Sequence, residues 1–213
     1  QPLMRHGFPA VLVILFGVLF IVPAVAQDKA DALQLYKDGK YLEAIKVCQE
    51  ELAESPKNID SHVVLGWSQL KLRRYAEGLE TAERADGIAP HDPRLVQIMG
   101  EAKYYLGRIE DALASLEEYV RLRPTGDRIA RVYWLMGECF ISLKEYQNAD
   151  IAISTALYHE QNNAGWWARL GYARELANDL TFAREAFNRA IRLDPNLIDA
   201  QRGKERVEKK LGG

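Results

Sequence analysis

The sequence predicts an all-α solenoid: about five stacked helical hairpins followed by a C-terminal capping helix. Three residue series predict it. Pro56, Pro90 and Pro124 are 34 residues apart, and Pro195 lies 71 further on. Gly66, Gly100, Gly137 and Gly171 are spaced by 34, 37 and 34. Ala44, Gly78, Ala112, Ala149 and Ala183 follow at 34, 34, 37 and 34. One period and one three-residue insertion, at 127–129, are shared by independent series. That pattern marks an array whose units bury their apolar faces only against their neighbours.

Residues 1–26 stand apart from the array. Residues 8–22 are almost wholly apolar; Arg5 and His6 precede them, and Pro23 and Ala24-Val25-Ala26 follow. The order basic, apolar, small is that of an export signal, with cleavage expected after Ala26. A periplasmic location in a bacterial envelope is then expected. The alternative is an uncleaved inner-membrane anchor, because residues 8–26 number 19 and a span needs about 20. Pro9 and Pro23 shorten the uninterrupted run and favour cleavage.

Within each later period, apolar residues recur at helical spacing in two stretches separated by a short turn, so each period is a helical hairpin. Leu65-Gly66, Met99-Gly100, Met136-Gly137 and Leu170-Gly171 place a bulky residue beside one without a side chain, where two helix backbones can approach closely. Ala156 and Ala190 serve the same approach late in second helices. The prolines end the second helices. Asp92-Pro93 reads as an N-cap followed by proline at the first helical position.

These residues resemble the tetratricopeptide repeat family. In copy 164–197, Trp167, Leu170, Gly171, Ala183, Phe187, Ala190 and Pro195 match the family signature, with Arg174 where an aromatic is usual. Five copies follow, at 25–58, 59–92, 93–126, 130–163 and 164–197, and 198–213 forms a charged cap touching the last repeat through Ile198, Val207 and Leu211. The departures carry expectations of their own. The first copy has Ala32, Cys48 and Glu51 at signature positions; its first helix is expected to begin near Asp28, with no cap before it. The third has Tyr119 where alanine is usual. The fourth has Gln161 instead of proline, so its second helix is expected to run longer. The insertion is expected either to lengthen the fourth copy's first helix or to loosen the joint before it.

Composition narrows the function classes. Hydrophobic residues are 48% and charged residues 27%, a globular balance. A net charge of −2 offers no field for a polyanion, so nucleic acid is not expected as a partner. No glycine-rich phosphate loop, nucleophile elbow or metal-spaced histidine pair is present. His62, His91 and His159 fall in different repeats, and Glu50-Glu51 and Glu117-Glu118 read as solvated helix faces. Cys48 and Cys139 are placed three repeats apart, too far for a disulfide, and read as buried small hydrophobes. No enzyme activity, metal or cofactor is expected.

The resemblance implies a right-handed superhelix whose first helices line a concave groove that takes a protein or peptide segment. Carried over by position, the groove residues are Tyr36, Lys37, Trp67, Lys71, Arg94, Gln97, Glu101, Tyr104, Arg131, Trp134, Glu138, Tyr172 and Glu175. Each copy thereby contributes an aromatic ring, and Trp67 and Trp134 are expected to be exposed. Lys37, Lys71 and Arg94 lie toward one end, and Glu101, Glu138 and Glu175 toward the other, which suggests a graded field that would orient a ligand. The ninth positions carry no asparagine, so capture of a C-terminal carboxylate is not implied. A membrane-tethered envelope subunit using convex or terminal surfaces is the alternative.

Overall fold

The computed structural model describes residues 31–212. The expected signal segment, its cleavage point, and Asp28 and Lys29 lie outside the described residues. Eleven helices and no strand occur among those described. They run α1 (Ala32–Lys37), α2 (Tyr41–Glu54), α3 (Ile59–Lys71), α4 (Tyr75–Asp86), α5 (Pro93–Tyr105), α6 (Ile109–Leu122), α7 (Ile129–Ser142), α8 (Tyr146–His159), α9 (Ala164–Leu176), α10 (Leu180–Leu193) and α11 (Ile198–Gly212). The first ten form five hairpins, each packed on the next, and α11 lies against α9 and α10. The fold is the expected superhelical array.

One backbone device closes every hairpin. Gly39, Arg73, Gly107, Lys144 and Asn178 have φ between 59° and 78°. Each is followed by a residue whose N–H returns to a carbonyl five residues back: Lys40 to Leu35, Arg74 to Gln69, Arg108 to Lys103, Glu145 to Phe140 and Asp179 to Arg174. This is the left-handed helix terminus with its six-to-one bond, which satisfies carbonyls the helix end would orphan. Glycine adopts that φ at no steric cost; Arg73 and Lys144 tolerate it without that help, so the sequence shows the device at only some of its sites. Side chains of Asp31, Asn58, Asp92 and Asn163 cap α1, α3, α5 and α9. The described first helix therefore starts at Ala32, four residues later than expected, because Asp31 is extended and caps it.

The departures from the period resolve as follows. Without its proline, α8 is no longer than α2, α6 or α10, all of 14 residues. Glu160 turns out of the helix with φ −131°, Asn163 caps α9, and the Trp167 indole N–H donates to the Gln161 carbonyl at 2.8 Å. The insertion goes into the connection between α6 and α7, and α7 gains a single residue over α5. There, two departures explain each other. The Tyr119 hydroxyl reaches under the inserted turn, and Gly126 lies so close above it that a Cβ would collide with that hydroxyl. The tyrosine that replaces a small residue holds the inserted turn in place.

The core is a row of side chains seated in glycine notches. A Cβ on Gly100 would meet Leu116 at 2.8 Å and one on Gly171 would meet Phe187 at 2.8 Å; Gly137 faces Ile153 in the same way. What enters each notch is a side chain from the hairpin's second helix, sixteen residues on, and at Gly100 and Gly137 that residue's backbone nitrogen also comes within 3.4 Å of the Cβ position, the close approach expected. In the second hairpin that position is Ala82, too short to reach, and Ile98 of the next hairpin fills the notch at Gly66 instead. Ala156 and Ala190 are fully buried. Arg174, where an aromatic is usual, gives two bonds to Asp150 at 2.7 and 3.0 Å and lies over Phe182. The stripe α11 buries is Ala200, Gly203 and Val207; Ile198 and Leu211 are exposed, a correction to the expected contacts. Ile198 sits two residues, about 200°, from Ala200 around the helix, and Gly203 is what admits the Phe187 ring.

Candidate functional site

Successive odd-numbered helices touch along one side of the array, α1 to α3, α3 to α5 and α5 to α7. Second helices pack on their own partner and on the next hairpin's first helix. The stack therefore curves with the first helices inward, and the carried-over positions lie on that inner side.

Polar ties cross the inner face from one hairpin to the next. The Trp67 indole N–H donates to Gln97 at 2.9 Å, and Gln97 in turn donates to Glu101 at 2.8 Å. Arg131 donates to Glu101 at 2.8 Å and to the Tyr105 hydroxyl at 2.7 Å. Arg169 grips Glu138 through two bonds of 2.7 Å. Arg206 and Lys210 hold Glu175 at 2.7 and 2.9 Å, which binds the C-terminal helix to α9. Burial pushes the Glu175 carboxyl up, but the hydrogen bonds from those two cations outweigh it and leave its pKa below the usual value.

These ties revise the expected field. Gln97, Glu138 and Glu175 are buried beneath the groove surface, where they brace it. The charges of Glu101, Glu138 and Glu175 are answered by Arg131, Arg169, and Arg206 with Lys210, so no acidic end remains open. At the other end Arg94 is spent on Asp92 at 2.7 Å and Asp60 at 2.6 Å, leaving Lys37 and Lys71 as the exposed cations of that set. The pairing was visible as a pattern: each glutamate is followed by an arginine 30 or 31 residues on, at 101 and 131, 138 and 169, and 175 and 206. Read one repeat at a time, the acids look free.

The aromatic residues gather into three groups, around Trp67, Tyr105 and Trp134, instead of one even row. Trp67 and Trp134 are half-buried, not open rings. Tyr36 lies 5.7 Å from Trp67, and the guanidinium of Arg128 covers Trp67 at 4.0 Å. Trp134 stacks on Trp166 at 6.1 Å with planes 14° apart, under Arg131 at 4.4 Å. Tyr172 carries Arg169 over its ring at 4.9 Å. Tyr104 packs edge-on against Tyr105, and burial, with Glu138 second, pushes its hydroxyl pKa up to about 12. Position-by-position transfer missed Arg128, Trp166 and Arg169; the insertion was the signal for the first.

A cavity opens at the Trp67 cluster and another at the Trp134 cluster. The N-terminal one, about 600 Å³, lies between α1, α3 and the inserted turn around Tyr36, Trp67 and Arg128. The C-terminal one, about 660 Å³, is framed by Trp134, Trp166, Tyr172, Arg169 and Arg202. Rings with a polar edge beside guanidinium groups can bury an apolar side chain and bond a peptide backbone at once. Among the described residues no cluster is placed to hold a metal ion, and no helix is long and apolar enough to cross a membrane. Cys48 and Cys139 are free and buried, and burial first, with nearby Glu51 and Glu138, raises both thiols to about 12.

Comparison with known proteins matches residues 99–158 and 166–197 to tetratricopeptide repeat models, and residues 29–85 to the model of anaphase-promoting complex, cyclosome, subunit 3. No curated protein matches by sequence. Among solved structures, the APC/C hetero-tetramer Cut9–Hcn1 superposes with a TM-score of 0.74 at 17% identity, over 83% of this chain and 35% of that one. MamA superposes with a TM-score of 0.66 at 17% identity, over 78% and 95%. YrrB, described as a tetratricopeptide repeat protein with an unusual peptide-binding site, gives 0.66 at 17%, over 82% and 88%. At these identities the likeness is one of fold.

Proposed function

We propose, for a chain whose repeat-model matches and structural neighbours support the tetratricopeptide repeat family, that it is a non-catalytic scaffold taking a segment of a partner protein along its inner face. The observation that carries this reading is the pair of aromatic cavities, about 600 and 660 Å³, at the Trp67 and Trp134 clusters of one braced groove. Cross-hairpin ion pairs hold the groove's shape before a ligand arrives, so little ordering cost falls on binding. The peptide-binding site ascribed to YrrB lends support by analogy of fold. The apolar run at 8–22 supports export to a periplasm, with an uncleaved anchor in an envelope assembly as the second reading. N-terminal sequencing of the mature protein separates the two.

A peptide-array screen with the purified chain tests the groove. Segments captured by the native protein should be lost by the double variant Trp134→Ala, Tyr172→Ala, assayed well below its lowered melting temperature where its helix content is native. Capture that survives both truncations would move binding to the convex or terminal surfaces.

A further inference from the structure

The inserted turn puts one of the protein's own side chains into the N-terminal cavity. The Arg128 guanidinium lies 4.0 Å above the Trp67 ring centre, and it donates to the Tyr36 hydroxyl at 3.4 Å, across 92 residues of chain. The Tyr36 and Trp67 planes tilt by 34°. A cation against such ring faces is held by their quadrupoles without need of a carboxylate.

Arg94, Arg131, Arg169 and Arg206 each pair with a carboxylate, and Arg128 does not. Arg169 makes two bonds of 2.7 Å to one carboxylate. Arg128 makes a single long bond, and its Nε is buried without an acceptor. It also stands at the start of α7, whose N-terminus has no side-chain cap, whereas α1, α3, α5 and α9 are capped by Asp or Asn. A strut selected for stability would satisfy its donors; this guanidinium is placed by one ring contact and one long bond and is replaceable. The cavity wall adds charge complementarity. Asp31, Glu51, Asp60 and Asp127 line it, and once Arg128 withdraws only Lys37 and Arg94 oppose those four acids.

We propose that the corner between Tyr36 and Trp67 is a recognition site for an arginine side chain of a partner protein segment, and that Arg128 occupies it until the partner displaces it. This rests on the groove reading above and supplies the chemistry of one of its pockets. An occupied site lowers apparent affinity by the fraction of time it is open, so removal of Arg128 should strengthen binding.

The test uses the full chain and three unlabelled nine-residue peptides of Gly and Ser with a central Arg, Leu or Glu, titrated while following indole N–H resonances by NMR. Relative to the native protein, Arg128→Ala should bind the Arg peptide about 2- to 30-fold more tightly, the range a cation–ring contact spans. The Trp67 resonance should move, and the Leu and Glu peptides should gain nothing. Arg128→Lys, which keeps the charge but stacks less broadly, should gain less than Arg128→Ala. Addition of Trp67→Ala to Arg128→Ala should erase the gain. The proposal is overturned if Arg128→Ala melts lower and binds no better, the behaviour of a latch, or if all three peptides gain alike. The groove reading stands or falls separately, on segment capture by the Trp134 and Tyr172 variant.

Discussion

Phe187 is seated between two glycines, and that arrangement makes a prediction of sign as well as size. The ring is 1% exposed; a Cβ on Gly171 would sit 2.8 Å from it, and one on Gly203 would collide with its edge. Phe187→Ala should cost about 3–5 kcal/mol, toward the upper end because the walls facing the void are glycines with no side chains to relax into it. In the native background Gly203→Ala drives a methyl into the ring and should destabilise by about 1–3 kcal/mol. In the Phe187→Ala background the same methyl enters empty space and replaces a helical glycine by alanine, so it should stabilise by about 1 kcal/mol. The two substitutions should therefore couple by roughly 2–4 kcal/mol, at or above the upper end for contacting pairs. Urea unfolding of the four proteins, followed by far-ultraviolet circular dichroism at constant m-value, measures this. If Gly203→Ala has the same sign in both backgrounds, α11 is not packed on the array through this ring.

Three further outcomes follow from particular contacts. The Glu175 carboxyl has a depressed folded-state pKa, so its contribution is present above the unfolded value and is lost as pH falls through the folded one. Glu175→Gln should cost about 1–2 kcal/mol at pH 7, less than a fully buried pair because Arg206 and Lys210 remain half in water, and the difference from native should vanish in acid; a gap that persists below the folded pKa would contradict this. Tyr119→Phe removes the hydroxyl on which Gly126 rests and should cost about 1 kcal/mol. It should also speed amide exchange across the 123–128 turn while leaving the middle of α6 and α7 protected. Cys48 and Cys139, with thiols raised to about 12, should resist a disulfide reagent at pH 8 until the array opens; immediate stoichiometric labelling would refute their burial.

The period of 34 residues, its apolar spacing and its small residues decide the helix pairs, because a hairpin is settled by residues near one another in the chain. The glycines marked the close approaches for the same reason, but that Leu116, Ile153 and Phe187 fill the space opposite them was settled by side-chain packing inside each hairpin. The inner face was legible as a set of positions and illegible as a field. Glu138 reads as a free acid until the next hairpin swings Arg169 onto it, and the contact of Arg128 with Trp67 and Tyr36 needs the accumulated turn of three repeats. Each repeat adds a small rotation fixed by packing between units. Local patterning carries no record of that rotation, so which charges cancel and which ring a distant arginine covers are settled only when the stack has closed on itself.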